Sequence, residues 1–361
     1  MSEVDEPNII ACPSCGESVD VTGLEIGSII TCPHCGEQFT VWRDFANYRL
    51  IRKVGEGGMG SVYESTDLNL NRTVAIKVLK PELSEDKKFI QNFLFEVEVT
   101  AQLTHPNIVQ VYAFGQHEGQ YYLVMEFISA ETLDDRIMNQ ERLNEMEVLD
   151  AAIGVSSGLN FALQRGSLIH RDIKPGNVLF SSSNTPKVVD FGLAVTPETA
   201  DTGSEGDIWG TPYYVSPERL EQIPEDFRSD MYSLGVSLYH ALSGRPPFDA
   251  NTAELVAAKH LSESPLPLKT LAPTVSDHTA YAIMKAMARH PEDRFNSYEE
   301  FIEQLEDAKR RMQGDEAGSA QTAYTVVEAA DVKDKKVIAG IGITVGLVLL
   351  SIGVYLVLTL T

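Results

Sequence analysis

Lys77 closes the run V-A-I-K from Val74, and about a hundred residues later Asp172, Lys174 and Asn177 stand together in H-R-D-I-K-P-G-N, His170 to Asn177. Asp190 follows in D-F-G, and ahead of them all lies G-E-G-G-M-G-S-V with Gly55, Gly57 and Gly60. These residue types can grip a polyphosphate and move its terminal group. Glycines let backbone N–H groups close on phosphate oxygens, and Lys77 pairs with the α and β phosphates. Asp172 accepts a hydroxyl proton, Lys174 neutralises charge on the moving phosphoryl group, and Asn177 and Asp190 hold Mg²⁺. Their order along the chain is the one phosphoryl transfer requires.

The elements that must position these residues follow from local pattern. Tyr48 to Val54 reads as a strand leading into the glycines, and Ser61–Ser65 with Thr73–Val78 reads as a β-hairpin. A dinucleotide-binding G-x-G-x-x-G needs a helix directly after the glycines, so the hairpin argues against that use. Between Asp86 and Thr104, Phe89, Phe93, Val97 and Ala101 recur at helical spacing. Glu96 adjoins that stripe and is the carboxylate expected to hold Lys77. Glu98, roughly 200° around the helix from Glu96, faces away. Tyr121 to Phe127 reads as a buried strand.

With G-T-P-Y-Y-V-S-P-E from Gly210 to Glu218, these motifs resemble the eukaryotic-type, or bacterial Hanks-type, serine/threonine protein kinases over about Tyr48 to Met312. The resemblance implies an α+β, bilobal fold, with an antiparallel sheet and one helix in the N-lobe and a mainly helical C-lobe. It implies ATP and Mg²⁺ as cofactors and proteins as substrates. Val62 and Ala75 would pack on adenine, Met125 would be the gatekeeper, and the backbone of Glu126 to Ile128 would read the base. Lys174 two places after Asp172, and Thr211 in G-T-P, match the serine/threonine pattern. Arg171 implies an activation segment ordered by phosphate, with Thr196, Thr199, Thr202 and Ser204 as acceptors and Glu205 or Asp207 as acids able to substitute for one. Glu218 in S-P-E, where the family has A-P-E, would pair with Arg294, and Asp230 would brace the catalytic loop.

Both ends carry further signals. Cys12-Pro-Ser-Cys15-Gly16 and Cys32-Pro-His-Cys35-Gly36 are two C-P-x-C-G knuckles separated by sixteen residues. Four thiolates so paired suit tetrahedral Zn²⁺, the glycines allow tight turns that point N–H groups at sulfur, and the flanking V-D-V and S-I-I-T runs suit short strands. Residues 8–43 therefore look like a small zinc ribbon, closed by four sulfurs without His34. The run Val337–Thr361 has no charged residue. At 1.5 Å per residue it makes roughly 37 Å of helix, enough to span a membrane. Lys333, Lys335 and Lys336 place its N-terminal flank in the cytoplasm, so the catalytic region is expected there, on a single-pass, tail-anchored protein of the cell membrane. No basic stretch followed by an apolar one opens the sequence, so a cleaved secretory signal is not expected. Gly342 and Gly346, with Ala339 and Gly353, form a small-residue stripe suited to a homodimer. Residues 313–336, polar and then basic, read as a flexible linker.

Composition narrows the partners. The 361 residues carry 29 Lys and Arg against 52 Asp and Glu, a formal charge of −23, and residues 1–42 contain no Lys or Arg. Nucleic-acid binding is not expected. Two other classes stay open on sequence alone: a nucleotide-binding pseudokinase scaffold, although none of its usual losses is present, and a zinc-dependent adaptor.

Overall fold

Two short hairpins open the described chain. The structure, a computed structural model, describes residues 8–129, 131–191 and 212–329. Strands β1 (Ile9–Ala11) and β2 (Ser18–Asp20) pair antiparallel, as do β3 (Ile29–Thr31) and β4 (Gln38–Thr40). Ile10, Val19, Val21, Phe39 and Val41 share one small core with Cys12 and Cys32.

This core abuts the sheet that follows. Gly27 N–H donates to Val41 O at 2.8 Å, and a Cβ on Gly27 would lie 2.9 Å from Arg52 Cβ, so only glycine fits this approach. Ile26 packs into the apolar cluster of Phe45, Leu50, Val74, Ile76 and Val124. The Arg49 guanidinium sits 5.0 Å from the centre of the Trp42 ring.

The main sheet contains β5 (Arg43–Phe45), β6 (Tyr48–Glu56), β7 (Gly60–Asp67), β8 (Arg72–Leu79), β9 (Val111–His117) and β10 (Gln120–Glu126), in the order β5-β6-β7-β8-β10-β9. All neighbours are antiparallel, and the expected hairpin is β7–β8. Helices α1 (Pro81–Glu85) and α2 (Lys87–Ala101) follow β8. Ile90, Phe93 and Val97 of α2 are buried with Leu79, but Ala101 is exposed. Strict i+4 spacing drifts about 40° per step on a helix of 3.6 residues per turn, so by Ala101 the stripe has rotated off the sheet. Thr100 and Leu103 are buried instead.

The helical half comprises α3 (Leu133–Gln140), α4 (Glu145–Gly166), the ribbon β11 (Val178–Phe180) and β12 (Pro186–Val188), α5 (Pro217–Leu220), α6 (Phe227–Ser243), α7 (Ala253–Ser262), α8 (Leu268–Leu271), α9 (Asp277–Ala286) and α10 (Tyr298–Ala329). Helix α6 is its hub: Met231, Tyr232, Leu234, Val236, Leu238 and Tyr239 are all buried. Asp226 caps its start by accepting Arg228 N–H at 2.8 Å, and Gly244 ends it at φ 78°.

The chain divides into two compact units, Met1–Ala308 and Lys309–Thr361, and α10 runs into the second. The flexible stretch expected from Gln313 is thus helical as far as Ala329. It holds no proline, and Ala317, Ala320 and Ala323 favour helix strongly enough to carry the turn past Gly314 and Gly318. Among the described residues no helix is long and apolar enough to cross a membrane. The run Val337–Thr361, its lysine flank, the small-residue stripe and the rest of the 313–336 linker lie outside them.

Candidate active site

Strand β8 places Lys77 between Val62 on β7 and Leu123 on β10. Gly60 is fixed by packing: a Cβ there would fall 2.0 Å from Val78 O, so no other residue lets β7 lie on β8 at this point. Gly57 N–H donates to Gly60 O at 2.9 Å and closes the turn, and Gly55 lies opposite Val62 in the β6–β7 ladder. Behind the loop, Ala75 and Met125 are buried with Val109, and Val62, Leu123, Phe127, Ile128 and Val189 pack on them. Four of the residues expected at adenine, Val62, Ala75, Met125 and Ile128, therefore share one apolar cluster. Val109 and Val189 belong to it too, and only their β-branched apolar character hinted at this. Glu126 N–H donates to Gln110 O at 2.9 Å, and its carboxylate accepts from Lys187 at 3.0 Å. A bound base at this position would have to use the Glu126 carbonyl or the backbone beyond it.

Lys77 is buried and its ammonium is ion-paired with the Asp190 carboxylate. Burial pushes the Asp190 carboxyl up, but the Lys77 charge outweighs it and the net is a value below the ordinary range. The side chain of Glu96, expected to hold Lys77, lies outside the described residues. Val189 N–H donates to Asn177 O at 3.1 Å, which sets the Asp190 backbone beside Asn177.

The loop between α4 and β11 converges on Asp172. Lys174 Nζ donates to Asp172 Oδ2 at 2.8 Å, and Asn177 Nδ2 donates to the same oxygen at 2.9 Å and to the Asp172 carbonyl at 2.7 Å. Among the described residues Asp172 Oδ1 receives no donor. Asn177, with its amide nitrogen so used, keeps Oδ1 as a hard oxygen ligand. Asn177 Oδ1 and the Asp190 carboxylate are the donor type that suits Mg²⁺.

Asp230, on α6, holds this loop from below. It accepts His170 N–H at 2.6 Å and Arg171 N–H at 2.8 Å. Burial pushes its carboxyl up to about 7, against the pull of those two N–H groups. His170 is fully buried, and burial keeps its imidazole below the ordinary value. Its Nδ1 accepts Asp172 N–H at 3.2 Å, so Nε2 carries the proton and donates to Val189 O at 3.1 Å. One neutral histidine thus ties Asp172 to the D-F-G strand.

Residues 48–311 match the family profile described as protein kinase domain. The chain belongs to the protein kinase family. It is 33% identical over 269 residues to a probable serine/threonine-protein kinase of Clostridium acetobutylicum, covering 74% of this chain and 41% of that one. It is 35% identical over 253 residues to serine/threonine-protein kinase PrkC of Bacillus subtilis, covering 70% and 39%. The crystal structure of the Mycobacterium tuberculosis PknI kinase domain superposes with a TM-score of 0.58 at 29% identity, covering 74% of this chain and 97% of that domain. The chain spans about two fifths of the length of those curated relatives.

The kinase core closes on a buried pair. Arg294 donates to Glu218 Oε1 at 2.6 Å and to Oε2 at 2.9 Å, and its remaining N–H groups reach the carbonyls of Ala288, Arg228 and Arg289. The Ser229 hydroxyl donates to Glu218 Oε1 at 2.6 Å. Burial opposes ionisation of Glu218, but Arg294 keeps its carboxyl below the ordinary range. Removing either partner would strand a buried charge, a loss of about 3–5 kcal/mol. Thr196, Thr199, Thr202, Ser204, Glu205, Asp207 and Thr211 lie outside the described residues.

In the two N-terminal hairpins, Cys12, Cys15, Cys32 and Cys35 bring their four sulfurs within 4.8 Å of one another. Cys12 and Cys35 sulfurs are 3.7 Å apart, and Cys15 and Cys32 sulfurs 3.8 Å. A tetrahedron with metal–sulfur bonds of ~2.3 Å has edges of ~3.8 Å, so the residues fit a thiolate-bound metal. The Gly16 and Gly36 N–H groups donate to the carbonyls of Cys12 and Cys32 rather than to sulfur, whereas His34 N–H lies 3.4 Å from Cys32 Sγ.

Proposed function

We propose that the chain is an ATP- and Mg²⁺-dependent serine/threonine protein kinase that phosphorylates proteins, itself included. The observation that carries this reading is the setting of Asp172. Two cationic or amide donors are gathered on one of its oxygens, the other receives no donor among the described residues, and Lys77, Asn177 and Asp190 stand beside it for the nucleotide and metal. When bound, magnesium neutralises charge on the phosphates. Lys77 meets the phosphate oxygens, Asp172 orients the hydroxyl and takes its proton, and the Val62–Ala75–Met125 cluster seats the base.

Intact-mass and peptide mapping of the full chain after incubation with Mg·ATP tests this, beside Asp172→Asn. Phosphate on the parent and none on the variant is the expected result. Nucleotide binding with no transfer by the parent would make the chain a pseudokinase scaffold instead.

On the same footing, residues 8–43 form a zinc ribbon, supported by the spacing of the four sulfurs, and Val337–Thr361 is a transmembrane anchor that keeps the catalytic region on the cytoplasmic face, supported by its length and lack of charge. Metal analysis tests the first. Carbonate-resistant sedimentation with membranes tests the second, and cross-linking there tests a homodimer through Gly342 and Gly346. The net charge of −23 speaks against a nucleic-acid partner.

A further inference from the structure

The guanidinium of Arg171 has a buried partner that none of these roles uses. Its Nη2 lies 3.0 Å from Glu225 Oε1, with the two side chains only 13% and 7% exposed. Glu225 stands in the turn between α5 and α6, immediately before Asp226, the residue that caps α6. Its place is thus set by the same helix that carries Asp230.

Three described residues hold Arg171. Asp230 accepts its N–H, the Arg219 guanidinium of α5 donates to its carbonyl, and Glu225 takes its side chain. Its backbone needs holding, since φ is +67°, a left-handed conformation that costs a non-glycine residue about 1 kcal/mol or more. The next residue is Asp172. Burial lifts the Glu225 carboxyl above its ordinary value, while Arg171 and Arg219 pull it down. A buried pair of this kind adds little net stability.

We propose that Glu225 is a positioning residue. It is a resident carboxylate that holds Arg171, and through it Asp172, so that the catalytic loop is aligned without a phosphate on the segment between Gly192 and Gly210. This rests on the kinase reading above. It assigns the counter-charge to an acid outside that segment, distinct from Glu205 and Asp207.

The test uses the full chain, freed of phosphate by a phosphatase and checked by intact mass, with initial rates of phosphate transfer to myelin basic protein. The dephosphorylated parent works within about threefold of its autophosphorylated form. Glu225→Gln loses about tenfold or more in kcat with the KM for ATP within about twofold, because alignment and not nucleotide binding is lost. Phosphorylating Glu225→Gln with a trace of tagged parent, then withdrawing that parent by its tag, restores most of the rate. Glu225→Asp, which keeps the charge, falls between the two and serves in the same assay if Glu225→Gln does not melt cooperatively.

A parent that is inactive until phosphorylated overturns the proposal, as does Glu225→Gln with an unchanged kcat. Loss in Glu225→Gln with no recovery on phosphorylation reduces Glu225 to a structural residue and overturns it as well. A parent that transfers phosphate in neither state defeats the kinase reading itself, and the clamp with it.

Discussion

Asp230 accepts the backbone N–H of Arg171 at 2.8 Å, across 59 residues of chain, and so fastens the catalytic loop to the helix at the centre of its lobe. Its second oxygen takes the N–H of His170. Asparagine can accept only one of these bonds and turns an NH₂ group toward the other. Asp230→Asn should therefore cost about 2–3 kcal/mol of stability, and a loop that shifts should lose about tenfold or more in kcat. Urea unfolding and steady-state kinetics read the two effects. A variant with the parent's kcat would show that Asp230 does not position Asp172.

Gly60 predicts a different kinetic signature. A methyl group there collides with Val78 O, so Gly60→Ala must part β7 from β8 beside Lys77. The KM for ATP should rise about tenfold, with a smaller change in kcat, because the phosphate grip and not the proton acceptor is disturbed. Nucleotide titration of initial rates checks this, and an unchanged KM would mean the loop tolerates the separation.

His260 gives a pH dependence. Its Nδ1 faces the Tyr232 hydroxyl at 2.7 Å and its Nε2 the Tyr213 carbonyl at 3.1 Å, with the Phe248 ring against it. Burial holds its imidazole down to about 4. Below about pH 6.5 the unfolded chain takes up a proton that the folded chain refuses, so stability falls as pH drops from about 6.5 to about 4, by about 3 kcal/mol for this group. His105, His170 and His240, each also lowered by burial, add in the same direction. Denaturant midpoints across that range should show a shallower acid slope in His260→Gln than in the parent. Parallel slopes would remove His260 from the explanation.

The four cysteines predict that purified protein carries one tetrahedral metal per chain, and that Cys12→Ser and Cys15→Ser each lose it. Ile26 then has no fixed ribbon to hold it in the main-sheet cluster, which should lower stability by about 1–3 kcal/mol. Metal analysis and melting curves before and after a chelator provide the check. A chelated protein with an unmoved melting point would separate the ribbon from the lobe energetically.

What could be seen in the sequence was what chemistry restricts. Asp172, Lys174 and Asn177 are legible because a proton acceptor, a cation and a metal-binding amide must share one short loop, and the structure does gather them on one carboxylate oxygen. The hairpin carrying Lys77 was legible from its strand pattern. The ion pair of Lys77 with Asp190 spans 113 residues, and no local pattern encodes such a partner. Glu225 was hidden because a carboxylate before a helix looks like any solvated acid until burial and Arg171 are known. The close approach of Gly27 to Arg52 joins residues 25 apart in the chain and is visible only in three dimensions. The stripe on α2 was misread at Ala101 because a four-residue step drifts on a 3.6-residue helix.

The seat of Ile26 and Gly27 against the sheet bears on what arrives at the ATP site. Only Val41 to Asn47 separate β4 from the strand that leads into the glycine loop, and β5 within that stretch is already hydrogen-bonded to it. With so little slack, the four-cysteine module cannot reorient on its own. It and the nucleotide lobe would tumble in solution with one rotational correlation time, and a force applied to the knuckles would reach the phosphate grip as leverage rather than as diffusion of a tethered part.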